Sequence, residues 1–407
     1  MDAVTQLPPA AWRERAGMAR LIAALGGGGA ARFVGGAVRD TLLALPVQDV
    51  DIATRHAPDK VVRMLADVGI RTVPTGIAHG TITALLESGP VEVTTLRHDV
   101  STDGRRATVA FTDDWREDAA RRDFTMNALY ADPETGAIFD YFDGLADLKT
   151  RRVRFIGDPY RRIAEDHLRI LRFFRFLARF GDEPEAEGLK ACADRANDLM
   201  ALSRERIADE LLKLLVAKEA VRVVTLMIDQ GIFRPVLPEI TTDGLPRLER
   251  VVRCEQMLGE QADAIRRLAA LLPVDPRTGE AVAARLKLSK AQRKRLTTAL
   301  GSESYDSARA MAYRLGRDAA VDRLFLQRGD EAALRAAYAE IADWEMPRLP
   351  VSGGALVERG LEKGPEVART LRAIEDRWIS EDFPGEARVA HLADEAVAQA
   401  LRARSSA

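Results

Sequence analysis

The chain has 407 residues, 47% hydrophobic and 30% charged, and its 60 Lys and Arg are balanced by 62 Asp and Glu to a net charge of −2. That balance excludes a wholesale polyanion binder, so any nucleic acid must be met by local patches. No apolar run is long enough to span a bilayer, and Cys192 and Cys254 have no second cysteine or histidine nearby, which excludes a disulfide framework or zinc knuckle.

The length suits roughly two to four domains. The amino-terminal MDAVTQLPPAAWRERAG is polar and proline-broken, without a secretory core, so a cytoplasmic protein is expected. Residues 10–25 read as a short amphipathic helix ended by the glycines of 26–29. Strand signals then dominate to about residue 155: ARFVGG, DVDIAT, IRTVPT, GTITALLE, VEVTTLR, AIFDYF and RVRFIG, with helical stretches at 37–45 and 58–68. From Pro159 onward only helical periodicity remains, beginning with 159–180, 187–200 and 204–217 and closing with 352–374 and 386–404. The expected fold is α+β: a head with a mixed or antiparallel sheet, then an all-α remainder.

Chemistry concentrates where FVGGAVRD (33–40) is followed by QDVDIAT (48–54). Gly35 and Gly36 let the backbone approach a ligand, and the helix starting near Ala37 turns free amides toward an anion. Asp49 and Asp51, two apart on a strand, project from one face and can share divalent cations. Glu92, in VEVTTLR, offers a third carboxylate, either for a metal site or as an ordinary edge-strand residue. In AARRDFTMNALY (119–130), Arg122 can reach phosphate oxygens, while Asp123 and Asn127 suit ribose hydroxyls or the turn itself; a buried network and a surface pair are both open readings.

RRIAEDHLRILRFFRFLARF (161–180) reads as one amphipathic helix with Asp166, Arg169, Arg172 and Arg175 three apart. A salt-bridged surface helix is one reading. The other is base recognition. Cytosine and adenine each present an exocyclic amino donor beside a ring-nitrogen acceptor, so a carboxylate such as Asp166 can accept from the first while a guanidinium such as Arg169 donates to the second. Uracil and guanine present the reverse order, and a site built for one pattern rejects the other by on the order of 10⁴.

The ordered series GGAVRD, DVDIAT, GIAHGT, VEVTTLR, RRDFTMNAL, DGLADL, EDHLRILR and SRERIADEL resembles the bacterial class II CCA-adding tRNA nucleotidyltransferases, in the poly(A) polymerase-like branch of the polymerase β superfamily. The likeness is detailed over about 31–240; beyond that only the all-α character is similar. It implies a catalytic head (1–155), a helical neck that recognises the base and binds RNA (156–240), and a helical body and tail that bind tRNA (241–407). It implies addition of the 3′-terminal CCA to tRNA from CTP and ATP, with two Mg²⁺ ions and no DNA or membrane partner. Residue by residue, it makes Asp49 and Asp51 metal ligands with Glu92 beside them, and sets Gly36 and Arg39 on the triphosphate. Arg122 and Asp123 then fall at phosphate and ribose, Asp166 and Arg169 on the base edge, and Arg172 and Arg175 extend that site. HDVSTDGRRATVAFTDDW (98–115) resembles the family's flexible loop, with Asp103, Arg105 and Arg106 as its polar residues.

In SRERIADEL, Ser203 reads as an N-cap with Arg206 in the capping-box position, bracing rather than reacting. The basic run RLKLSKAQRKR (285–295) is a solvated face or a tRNA contact. His79 and His167 read as structural. A bacterial poly(A) polymerase is the competing enzyme, but GIAHGTITALLE stands where that subgroup carries Gly-Arg-Arg-Phe, and no long basic tail follows residue 390. An enzyme adding only CC or only A, and a catalytically dead RNA-binding protein, are further alternatives. Against the last stand carboxylates that would repel one another in a purely structural role.

Overall fold

A computed structural model describes residues 6–102, 107–327 and 329–405. The chain forms two compact units, Met1–Ile240 and Thr241–Ala407. None of the described helices is long and apolar enough to cross a membrane.

The first unit opens with α1 (Met18–Ala24), preceded by a 3₁₀ turn at Ala11–Arg13, so the expected helix over 10–25 is two pieces broken at Gly17. The strands are β1 (Ala31–Val34), β2 (Asp51–Thr54), β3 (Arg71–Gly76), β4 (Thr81–Leu86), β5 (Gly89–Thr95), β6 (Arg97–Thr102), β7 (Ala107–Phe111), β8 (Leu129–Ala131) and β9 (Ile138–Asp140). Between them lie α2 (Gly36–Leu42), α3 (Pro58–Asp67) and α4 (Trp115–Ala120), and α5 (Gly144–Lys149) follows β9. Seven strands make one mixed sheet in the order β3-β4-β5-β2-β1-β8-β9, with β2 and β5 parallel and the other neighbours antiparallel.

The register fixes what each face carries. Phe33, Ile52, Val93 and Ile82 are partners along one row and are buried on one face. Val34, Asp51 and Glu92 share the next row and therefore the opposite face. Trp115 of α4 closes part of that second face over Val34, Ala53 and Tyr130. At about 25 cal/mol per Å² of apolar surface, such a cluster anchors α4 firmly to the sheet.

Three expectations need correction here. RVRFIG is not a strand: Val153 and Phe155 make only isolated bridges, to Pro184 and Phe124; both side chains are buried, Phe155 against Phe124 and Phe173. The apolar alternation was real, but it serves burial without a ladder. β8 was missed, because MNAL resembles a helix start and only its pairing with β1 and β9 makes it extended. The segment 98–115 is not loop throughout, since β6 and β7 pair within it as an antiparallel hairpin.

The helices α6 (Pro159–Glu165), α7 (Arg169–Phe180), α8 (Ala186–Asp194), α9 (Arg204–Leu215) and α10 (Ala220–Asp229) complete this unit. The expected single helix over 159–180 is broken at Asp166, which is extended at φ −153° and ψ 106°. Its carboxylate accepts from the Leu168 amide (3.1 Å), the local side-chain-to-backbone bond by which Asp competes with a helix. α7 is buried along most of its girth, through Ile170, Leu171, Phe173, Phe174, Phe176, Leu177 and Phe180.

The second unit is helical among its described residues: α11 (Leu245–Leu258), α12 (Ala264–Leu271), α13 (Pro276–Arg285), α14 (Lys290–Ala299), α15 (Ala308–Leu315), α16 (Arg317–Leu326), α17 (Glu331–Ala339), α18 (Gly353–Glu358), α19 (Pro365–Ser380) and α20 (Glu386–Ser405). The expected helix over 352–374 divides at Arg359 and resumes at Pro365, a residue suited to a first helical turn. One core gathers around Trp378 with Leu356, Ile374 and Leu392. In another region buried Asp322 holds Arg266 (2.8 Å) and Arg295 (2.7 Å), while Glu255 holds Arg266 and Arg267. One cation of the 285–295 run, Arg295, is thereby turned to a buried partner, while Arg293 pairs with Glu280 at the surface.

Candidate active site

β1 delivers the chain to Gly35, whose φ of +70° an L side chain rarely adopts. The Gly35 amide donates to the Leu129 carbonyl (3.2 Å), and a Cβ there would meet Arg122 Nη1 at 3.4 Å. Glycine therefore answers both a backbone and a space requirement. α2 starts at once, carrying Arg39 in its last turn. The Arg39 guanidinium is buried, bonded to Asp40 (2.8 Å) and to the Asn127 side-chain oxygen, and it stacks over Phe180 at 4.2 Å.

Asp51 opens β2, and Glu92 of β5 is its partner across the parallel pair. Asp49 lies just before the strand instead of on it, and like Glu92 it is exposed. Burial pushes the Asp51 carboxyl up to about 6, the negative charges of Glu92 and Asp49 add to the rise, and Arg122 opposes it. The three carboxylates are thus electrically coupled. No group of three or more His, Cys, Asp or Glu among the described residues is drawn tightly enough to hold a metal ion by itself.

Arg121 and Arg122 follow α4 and converge on its buried Asp118, whose two oxygens accept from Arg121 Nε (3.0 Å) and Arg122 Nη2 (3.1 Å). Tyr130 donates to the same carboxylate (2.6 Å) and accepts from Arg122 Nε (3.2 Å). Burial would raise the Asp118 carboxyl, yet Arg122 and Arg121 hold it down to about 2. Next in sequence, Asp123 accepts from Arg172 Nε (2.8 Å), the Asn127 amide (2.9 Å) and the Phe124 backbone (2.8 Å). Burial acts to raise it as well, and Arg172 foremost keeps it at about 2.

The break after α6 holds Asp166 away from either helix axis. Arg206 of α9 donates from Nη2 to both of its oxygens, at 3.0 and 2.8 Å. With the Leu168 amide, three of about four acceptor positions of that carboxylate are used, and the remaining one is on Oδ2. Arg169, in the first turn of α7, is aimed by Glu165 (2.7 Å) and by the Arg162 and Arg121 carbonyls. Arg175 donates to Glu210 of α9 (2.6 Å).

A cavity of about 400 Å³ is lined by Gly35, Gly36, Arg39, Asp51, Arg121, Arg122, Asp123, Asn127, Asp166, Arg169, Arg172 and Phe176. Ten of the residues singled out from the sequence therefore meet there, while Asp49, Glu92 and Arg175 are not part of its lining. Asp103, Arg105 and Arg106 lie outside the described residues. Sequence reasoning missed Asp118, Tyr130, Arg206 and Phe176. Asp118 had a legible signal, three and four residues before Arg121 and Arg122. Arg206 was read as part of a helix cap; Ser203 does occupy the N-cap position but makes no side-chain capping bond.

The family model of the Poly A polymerase head domain matches residues 31–154, and that of the probable RNA and SrmB-binding site of polymerase A matches 183–243. The chain is 37% identical over 366 residues to the mitochondrial CCA tRNA nucleotidyltransferase 1 of Mus musculus, covering 85% of this chain and 82% of that protein. It is 34% identical over 361 residues to the CCA-adding enzyme of Limosilactobacillus fermentum, covering 84% and 87%. Among solved structures, the Bacillus stearothermophilus CCA-adding enzyme in complex with CTP matches with a TM-score of 0.69 at 26% identity over 95% of this chain and 96% of that one. A Thermotoga maritima CCA-adding enzyme complexed with tRNA shares the fold, with a TM-score of 0.70 at 20% identity over 98% of each chain.

Proposed function

The chain belongs to the CCA tRNA nucleotidyltransferase family, and from that premise we propose that its cavity adds or repairs the 3′-terminal CCA of tRNA from CTP and ATP without a nucleic-acid template. The observation that carries the reading is that one cavity joins a carboxylate held near pH 6, a fixed arginine fork and an Asp–Arg pair of the right polarity for C and A. The tRNA 3′-OH attacks the α-phosphorus in line, its P–O bond forms as the bond to pyrophosphate breaks, and pyrophosphate leaves.

Asp49 and Asp51 are suited to hold two Mg²⁺ ions beside Glu92. Their oxygens are hard donors, and Asp51 carries negative charge that no nearby cation other than Arg122 offsets. Mg²⁺ commonly takes one or two protein carboxylates and completes its shell from substrate phosphates and water, which agrees with a site lacking three convergent ligands. Bound there, such ions would supply Lewis acidity to activate the attacking hydroxyl and to offset charge on the leaving pyrophosphate.

The remaining work falls to the chain itself. Arg122, fixed by Asp118 and Tyr130, presents its outer edge to phosphate across the Gly35 turn. Asp123 spends its acceptors on Arg172, Asn127 and Phe124, so its part is to hold Arg172 at the cavity instead of to touch ribose. Asp166 accepts the amino group of C or A, and Arg169 donates to the ring nitrogen. We assign 1–155 to the catalytic head, 156–240 to the base-reading neck, and 241–407 to tRNA binding. The test is transfer of labelled CMP to tRNA lacking its terminus. Asp49→Ala or Asp51→Ala should abolish transfer while CTP binding without Mg²⁺ stays within about threefold of wild type; near wild-type transfer by either variant would remove the metal assignment.

A further inference from the structure

Arg32 of β1 points to the same face as Val34 and Asp51 but one row further from the cavity. Its guanidinium lies between two rings, 3.5 Å from the centroid of Phe139 and 4.3 Å from that of Trp115. Its hydrogen bond goes to the Tyr141 hydroxyl (3.0 Å), and its buried Nε has no acceptor among the described residues. Arg55 approaches the same Trp115 ring at 5.6 Å and donates only to the carbonyls of Asp113 and Gly29. Arg116 leans over Phe142 at 5.3 Å. Most arginines of this unit reach a carboxylate, as Arg39, Arg121, Arg122, Arg154, Arg169, Arg172, Arg175 and Arg206 do. These three, on adjoining positions, have no carboxylate within ion-pairing distance among the described residues.

The arrangement is costly for a chain acting alone. Burial foremost disfavours the Arg32 cation and Arg55 repels it, and together these outweigh the support from Tyr141 and Asp132. Stacking on rings fixes the planes of the guanidiniums while leaving N–H edges to bond outward, which suits an anion with several acceptor oxygens. We propose that Arg32, Arg55 and Arg116 form a backbone-phosphate contact for the tRNA on the head, apart from the nucleotide cavity. The occupant is chosen by charge: with a net charge of −2, the chain can meet a polyanion only through such local clusters. This proposal rests on the reading of the chain as a tRNA-acting enzyme.

The test uses the full chain, with tRNA lacking its terminus as the probe and binding followed by anisotropy across a salt series. Arg55 and Arg116 are exposed, so Arg55→Ala/Arg116→Ala should keep its thermal midpoint and its KM for CTP. Its affinity for tRNA should fall roughly tenfold, and the slope of log affinity against log salt should shrink by about two. Arg116→Ala alone, which loses contact only with Phe142, should shrink the slope by about one. Wild-type affinity and slope in the double variant would overturn the proposal, as would a raised KM for CTP with unchanged tRNA binding. If wild-type protein itself neither binds this tRNA nor extends it with C, the enzymatic reading fails and the proposal falls with it.

Discussion

Asp51 is the residue whose chemistry and stability pull in opposite directions. Its folded pKa of about 6 lies above the ordinary 3.8, so the native state loses stability as pH rises from 3.8 through 6. Asp51→Asn should therefore raise stability in metal-free buffer at pH 7.5, by up to about 3 kcal/mol, and the gain should vanish below pH 4. Thermal midpoints at the two pH values check this; a midpoint lowered at pH 7.5 would show that the carboxylate is compensated. Asp118 has the opposite sign. Held at about 2, it contributes stability that is full above 3.8 and lost as pH falls toward 2. Removing it strands two arginines, so Asp118→Ala should cost about 3–5 kcal/mol at pH 7 in urea unfolding. That deficit should narrow between pH 4 and 2. Nucleotide KM should rise with it, because Arg122 loses the partner that fixes its fork.

At the scale of elements, the break between α6 and α7 places Asp166 at the cavity, where the proposed base reading depends on it. A continuous helix would keep Asp166 on a helical face, as the sequence periodicity suggests; the Asx-type bond to Leu168 and the pull of Arg206 instead free its carboxylate toward the cavity. Asp166→Ala should therefore shift selection toward UTP and GTP, by roughly 1–3 kcal/mol for the lost pairing. Overall rate should fall less than in the Asp49 variant. Arg206→Ala should give a weaker form of the same loss, with partial rescue by Arg206→Lys, when the four nucleotides compete on tRNA lacking its terminus. Strict selection for C and A in both variants would move recognition elsewhere. Part of this site was readable because chemistry dictates its residue types: glycine where φ is positive, and carboxylates and arginines that meet at one cavity. The break was not readable from periodicity alone, because the local bond to Leu168 competes with an otherwise helical pattern and its second support, Arg206, lies forty residues away in sequence. The same holds for β8, which three residues of helix-like sequence conceal until β1 and β9 pair with it.

Across the whole molecule, the split after Ile240 separates a unit that contains the entire cavity lining from an all-helical one. Order of sheet and helices was legible from the switch in periodicity near Pro159, whereas the composition of the basic run at 285–295 did not show that, of Arg293 and Arg295, Arg295 alone reaches a buried partner, Asp322, while Lys287, Lys290, Arg293 and Lys294 stay exposed. A fragment ending at 240 should bind CTP with near wild-type affinity by calorimetry, because every lining residue lies within it, and should extend tRNA poorly. The competing reading is a poly(A) polymerase, since the Poly A polymerase head domain model matches residues 31–154. The most direct discrimination is to incubate full-length protein with tRNA ending at the discriminator base, supply each nucleotide alone and in pairs, and size the product ends. CTP alone should add two residues, CTP with ATP should add three and stop, and UTP or GTP should add none. A long adenosine tail from ATP alone, or failure to stop after the third residue, would contradict the account.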